Sequence, residues 1–122
     1  VLLVEDDQAL LNLAEQMLGE YGYCVLLARD GEEALKVENE YSDAIHLLLT
    51  DVVMPGMDGR NLAEKMQSKR PDMKVLFMSG YTDNAIAHHG VLDTGLSFIQ
   101  KPFTAPSLAR KVREVLDQYH HD

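Results

Sequence analysis

Ile45-His46-Leu47-Leu48-Leu49-Thr50-Asp51-Val52-Val53-Met54-Pro55-Gly56-Met57-Asp58-Gly59 passes from an apolar run to an acid and then to turn-forming residues. Residues 45–49 read as the most apolar strand of the chain. Pro55-Gly56 and Asp58-Gly59 supply fixed and positive φ, so 51–59 reads as a loop, and Asp58 can cap a helix running to about 68. The same strand-to-helix pattern extends outward on both sides. Residues 1–4 form a continuous apolar run, too short for a helix and followed at once by acids, as suits a strand buried on both faces. Leu10, Leu13, Ala14, Met17 and Leu18 recur at helical spacing through 7–20, and Gly22 ends the pattern. Residues 23–27 read as the second strand, and Asp30-Gly31-Glu32-Glu33 has the spacing of an aspartate cap with a glutamate three residues on, opening a helix to about 40. Strands over 74–78 and 96–99 follow, with a weaker helix over 82–89 between them. A final helix over 104–119 carries Leu108, Val112, Val115, Leu116 and Tyr119 on one face. Five strand–helix units predict an α/β fold: a five-stranded parallel sheet, right-handed crossovers and helices on both faces in a three-layer sandwich.

In such a sheet the carboxyl ends of all strands open on one edge, so residues at successive strand ends meet in space. Glu5 and Asp6, Asp51, Ser79 and Lys101 stand at four of those ends. Three acids, a hydroxyl and a lysine suit phosphoryl chemistry assisted by a divalent cation. Each has a plainer reading: an Asp before a loop is ordinarily a turn residue, a lone Ser-Gly a turn and a single Lys solvated surface. Acids ahead of a helix commonly cap it, and Asp7 is read that way.

The 122 residues amount to one domain, with 46% hydrophobic and 25% charged residues as in ordinary soluble globular proteins. A formal charge of -9 with only 11 Lys and Arg disfavours nucleic acid, whose binding depends on cations displacing counterions. It favours cationic partners and divalent metal. The longest apolar runs fall far short of the ~20 residues that cross a bilayer, and no leader pattern precedes them, which predicts a cytosolic domain without membrane contact. Because the chain starts at Val1, directly in a strand, it is expected to be cut from something longer. The single cysteine, Cys24, is expected to be a small buried hydrophobe of the second strand.

Four motifs together, Val4-Glu5-Asp6-Asp7, Leu49-Thr50-Asp51-Val52-Val53-Met54-Pro55-Gly56-Met57-Asp58-Gly59, Met78-Ser79-Gly80-Tyr81-Thr82 and Phe98-Ile99-Gln100-Lys101-Pro102-Phe103, resemble the receiver domain of two-component response regulators. The resemblance runs nearly end to end and takes in 1–122 as one receiver domain. It implies a flavodoxin-like fold with strand order 2-1-3-4-5 and five helices. It further implies that Asp51 is the phosphoacceptor, a carboxylate that attacks phosphorus and becomes an acyl phosphate. Glu5 and Asp6 match the acidic pair that holds Mg²⁺, with Asp6 the direct ligand, Glu5 acting through water and the backbone carbonyl of Val53 as a third protein ligand. Ser79 and Lys101 match the hydroxyl and cation that meet the phosphoryl oxygens, Lys101-Pro102 the cis bond beside them, and Phe98 the switch aromatic. The implied partners are a histidine kinase or its phosphotransfer domain, and a downstream histidine phosphotransfer protein if the parent is a hybrid sensor kinase. Chemically such a domain catalyses its own phosphorylation and hydrolysis, but it acts as a signalling switch.

Departures from the family pattern lie at Gly80 and Tyr81, where a small alanine is common and a bulky ring now follows. His88-His89 and His120-His121 are adjacent pairs that point apart on a helix and read as surface residues. Met54, Met57, Met66, Met73 and Met78 read as packing and loop contacts. Two rivals remain. A metal-dependent aspartyl-phosphate phosphatase of the haloacid dehalogenase type normally needs a second Asp two residues after the nucleophile, where this chain has Val53. A flavin module would need a phosphate-cradling first loop in place of Glu5-Asp6-Asp7.

Overall fold

The computed structural model describes residues 1–54, 56–80 and 97–118, in which strands and helices alternate as far as residue 79. In chain order these are β1 (Leu2–Val4), α1 (Gln8–Glu20), β2 (Leu26–Ala28), α2 (Gly31–Glu40), β3 (Leu47–Asp51), α3 (Gly59–Lys69), β4 (Lys74–Ser79), β5 (Phe98–Gln100) and α4 (Ala105–Asp117). The strands form one parallel sheet in the order β2-β1-β3-β4-β5. The helix expected over 82–89, both histidine pairs, Tyr81 and Tyr119 lie outside the described residues, which contain four helices.

Both faces of the sheet are covered, so its strands are apolar in consecutive positions. Leu2, Val4, Leu48 and Phe77 belong to the layer under α2 and α3, whereas Leu3, Leu47, Leu49, Leu76 and Ile99 join the layer with α1 and α4. Capping fixes where each helix begins. Asp7 accepts the amides of Ala9 and Leu10, Asp30 that of Glu33 and Asp58 that of Asn61, while Thr104 and Ser107 cap each other. The Glu33 carboxylate reaches the Arg29 amide at 2.6 Å, so the reciprocal half of the expected cap falls one residue early. At the far end of α1, Gly22 takes φ +90°, which a glycine adopts without strain. Arg70, the C-cap of α3, fastens α3 to α2: it pairs with the buried Glu38 at 2.9 Å and donates to the carbonyls of Glu38, Tyr41 and Asp43.

Several expectations are corrected. Cys24 is exposed, because β2 starts only at Leu26, and the residues ahead of it lie outside the ladder. The buried stripe of α1 is Leu11, Ala14 and Leu18, leaving Leu13 48% exposed. The third strand extends to Asp51, since β4 continues opposite it as far as the pair Asp51↔Met78. The methionine reading stands for Met54, Met66, Met73 and Met78, all buried, and Met57 packs against the core.

Candidate functional site

Strand register brings the acids together. Val4 pairs with Thr50, so the next step along both strands sets Glu5 beside Asp51. Glu5, Asp51 and Lys101 are in phase with Leu3, Leu49 and Ile99, and so emerge from the same layer of the sheet at its carboxyl edge. One oxygen from each of Glu5, Asp6 and Asp51 lies within 4.8 Å of the others. Glu5 and Asp51 are buried, at 2% and 4% exposure, and Asp6 faces solvent.

Lys101 closes the cluster from β5. Its backbone amide donates to the Ser79 carbonyl at 2.7 Å, which ties the two strand ends together, and the Lys101-Pro102 peptide is cis. The ammonium donates to Glu5 Oε1 at 3.0 Å and forms an ion pair with Asp51 Oδ1. Glu5 Oε2 in turn accepts the Asp7 amide at 3.0 Å. Ser79, half-buried, ends β4 one step beyond the Asp51↔Met78 pair. Val53 is on the loop after β3 with its side chain exposed. Phe98 stands three residues before Lys101, its ring stacked on Phe77 with centroids 5.5 Å apart and planes inclined by 29°. The positions singled out in the sequence, Glu5, Asp6, Asp51, Ser79 and Lys101, therefore gather at one edge, while Phe98 sits below them in the layer under α2 and α3.

The electrostatics are those of a site with too many negative charges. Burial, then hydrogen bonding with Glu5, pushes the Asp51 carboxyl up to about 8 against the opposing pull of Lys101. Burial and the neighbouring Glu5 also raise Asp6. Burial would raise Glu5 too, but hydrogen bonds from Asp51, the Asp7 amide and Lys101 outweigh it and hold Glu5 below the ordinary value. For Lys101 burial works against the charged form, yet its contacts with Asp51 and Glu5 prevail and raise it. Two unit charges ~5 Å apart at an effective dielectric of ~20 repel by roughly 3 kcal/mol, which one lysine cannot relieve for three carboxylates. Asp51 Oδ1 is buried, with the Lys101 ammonium against it. Clustered hard oxygen donors and surplus negative charge fit a small divalent cation.

Two further residues bear on the end of β3, Gly59 and Thr50. The positive φ expected at Gly59 is corrected, since Gly59 is the first residue of α3 and only Gly22 and Gly56 take positive φ among the described glycines; its role is close approach, as a β-carbon there would overlap the Asp51 carbonyl. Thr50, a polar residue inside the most apolar strand, is fully buried.

The sequence profile described as the response regulator receiver domain matches residues 1–113. Sensor kinase CckA of Brucella abortus (strain 2308) is 38% identical over 118 residues, which are 97% of this chain and 12% of that protein. Response regulator receiver protein CpdR of the same organism is 31% identical over 116 residues, 95% of each chain. The chain thus spans a small part of one relative and nearly all of another. Among solved structures, the receiver domain from hybrid histidine kinase CckA superposes with a TM-score of 0.78 at 36% identity, covering 95% of this chain and 97% of that one. A response regulator receiver domain protein from Clostridium thermocellum reaches a TM-score of 0.82 at 24% identity over 95% and 92% of the two chains, a likeness of fold. No described helix is long and apolar enough to cross a membrane. The strand order is the one the resemblance implies, and the chain belongs to the response regulator receiver domain family.

Proposed function

We propose that this domain is the phosphoacceptor of a two-component phosphorelay, taking a phosphoryl group onto Asp51 from the phosphohistidine of a sensor kinase or its phosphotransfer domain. The observation that carries it is the buried Asp51 carboxylate, contacted by Lys101 and within 4.8 Å of oxygens from Glu5 and Asp6. An Asp51 oxygen attacks phosphorus, the phosphorus–nitrogen bond breaks, and the departing imidazole takes up a proton. Lys101 remains cationic, leaves its contact with the Asp51 oxygen and meets the phosphoryl oxygens instead, with the Ser79 hydroxyl as a second donor. Asp6, Asp51 and the backbone carbonyl of Val53 would hold Mg²⁺, with Glu5 acting through water, and a bound ion would supply the positive charge that lets an anionic acceptor meet an anionic donor. Water later cleaves the acyl phosphate. The domain thus promotes its own phosphorylation and hydrolysis while serving as a switch, with Ser79 and Phe98 as the moving parts.

On this reading the receiver runs across 1–122 and works in the cytoplasm without contacting membrane or nucleic acid. The likeness to a hybrid sensor kinase supports a parent of that kind, from which a histidine phosphotransfer protein draws the phosphoryl group onward. The phosphatase rival is not favoured, since Val53 occupies the position of its second Asp. Incubation with acetyl phosphate and Mg²⁺ tests the proposal: mass spectrometry should find one phosphoryl group on the wild type, mapped to Asp51, and none on Asp51→Asn. Equal phosphorylation of the two would overturn it.

A further inference from the structure

Asp51 is held through its backbone as well as through its carboxylate. Its carbonyl oxygen accepts the Thr50 hydroxyl at 3.1 Å, and the same hydroxyl lies 3.7 Å from the Met54 sulfur. A hydroxyl has one proton and serves one acceptor at a time, and the carbonyl is the stronger acceptor. The start of α3 closes on the same carbonyl: the Gly59 amide donates to Val52 O at 2.8 Å, and no β-carbon fits between Gly59 and Asp51 O. At the other end of that peptide the Val52 amide donates to Met78 O at 3.2 Å. The peptide joining Asp51 to Val52 is therefore gripped at both its oxygen and its nitrogen.

Thr50 is fully buried and in phase with Leu48, on the sheet face opposite the Asp51 carboxylate. Its strand neighbours in register, Val4 and Phe77, are apolar. A valine has the same shape and brings no polar group to satisfy, so packing does not account for the hydroxyl. We infer that Thr50 is a positioning residue for the phosphoacceptor: its hydroxyl sets the Asp51–Val52 peptide, and with it the aim of the Asp51 carboxylate and the course of the loop to Val53. This rests on Asp51 being the acceptor. In-line transfer is sensitive to such placement, since a shift of ~1 Å can slow a reaction ~10²-fold.

Thr50→Val and Thr50→Ser separate positioning from support. The first-order rate of phosphorylation is measured at saturating acetyl phosphate and Mg²⁺, together with the melting temperature and the Val52 amide resonance of the metal-free protein. Thr50→Val is expected to be ~10-fold slower, with the Val52 resonance displaced, while Thr50→Ser returns both to near wild type. A folded Thr50→Val at the wild-type rate, or a folded Thr50→Ser as slow as Thr50→Val, overturns the inference. If Thr50→Val does not fold, Thr50→Cys, a weaker donor of similar size, decides in the same way: slow when folded supports it, wild-type rate overturns it. A wild type that takes no phosphoryl group removes the receiver proposal and this one together, whereas a reactive wild type with reactive variants removes only this one.

Discussion

The Lys101 ammonium donates to Glu5 Oε1 at 3.0 Å, joining residues 96 apart in sequence across the carboxyl edge of the sheet. Glu5 is thereby committed on both oxygens, one to Lys101 and the other to the Asp7 amide, while Asp6 alone among the three acids faces solvent. This division of labour makes Asp6 the carboxylate best placed to take a cation directly and Glu5 the one that holds the lysine.

Mg²⁺ is accordingly expected to stabilise the fold through Asp6. A ligand that binds only the native state adds ~2.7 kcal/mol at a hundred times its dissociation constant, or about 10 °C for a domain of this size. Calorimetry with and without Mg²⁺ should show that rise for wild type and little for Asp6→Ala. Equal rises in both proteins would remove Asp6 from the site.

Without metal, Asp51 makes stability depend on pH. The folded carboxyl keeps its proton up to about 8, whereas an unfolded aspartate ionises near ~4, so between those values the folded state binds more protons and stability falls as pH rises. Asp6, also raised, has the same sign. Glu5, depressed, contributes stability that is complete above its unfolded value of ~4.3, and raised Lys101 contributes stability that is fully present below ~10.4, so neither opposes the trend between pH 6 and 8. The metal-free wild type should lose melting temperature from pH 6 to 8, and Asp51→Asn should stay flatter and melt at least ~5 °C higher at pH 8. A lower-melting Asp51→Asn at pH 8 would mean that the Lys101 pair outweighs the burial of charge.

The Phe77–Phe98 stack sets what the switch must overcome. Such a pair is worth ~0.5–1.5 kcal/mol beyond burial, and a hydrogen bond from Ser79 to a charged phosphoryl oxygen ~1.5–3 kcal/mol, so the second is enough to offset the first. Beryllofluoride with Mg²⁺ is expected to change the NMR contacts between the two rings in wild type and to leave them intact in Ser79→Ala. Rings that keep their contacts in both proteins would show that Phe98 takes no part in switching.

Much of this was legible because α/β architecture writes its site at strand ends. Glu5, Asp51, Ser79 and Lys101 each stand at or one residue past the end of an apolar run, which is enough to bring them to one edge. What misled was polarity. Thr50 and Asp51 look like loop residues after Leu49, yet both remain in β3 because β4 extends beside them. In α1 two stripes share helical spacing, Leu10-Leu13-Met17 and Leu11-Ala14-Leu18, and the contact with the sheet and α4 selects the second. Cys24 and Val25 look like strand, but pairing with β1 begins with Leu26. Glu38 and Arg70 could not be matched from sequence at all, since a buried charge between two helix ends has no periodic signature.

The phosphorylated domain is expected to be long-lived for its family. Hydrolysis needs a water in line with phosphorus, and an amide or acid near the acceptor can orient one, as the positioning glutamine of a GTPase does. The family positions that most often serve are two residues beyond the acceptor and two beyond the hydroxyl, here Val53 and Tyr81. Val53 is 48% exposed and its apolar side chain offers an approaching water no hydrogen bond. A slow loss suits a relay that holds the group until a downstream histidine accepts it. Decay of the phosphorylated protein, followed after removal of the donor, should be ~10-fold faster in Val53→Asn/Tyr81→Glu than in wild type, as general positioning of water contributes on that scale or more. Unchanged or slower decay in the double variant would mean that neither side chain governs the water.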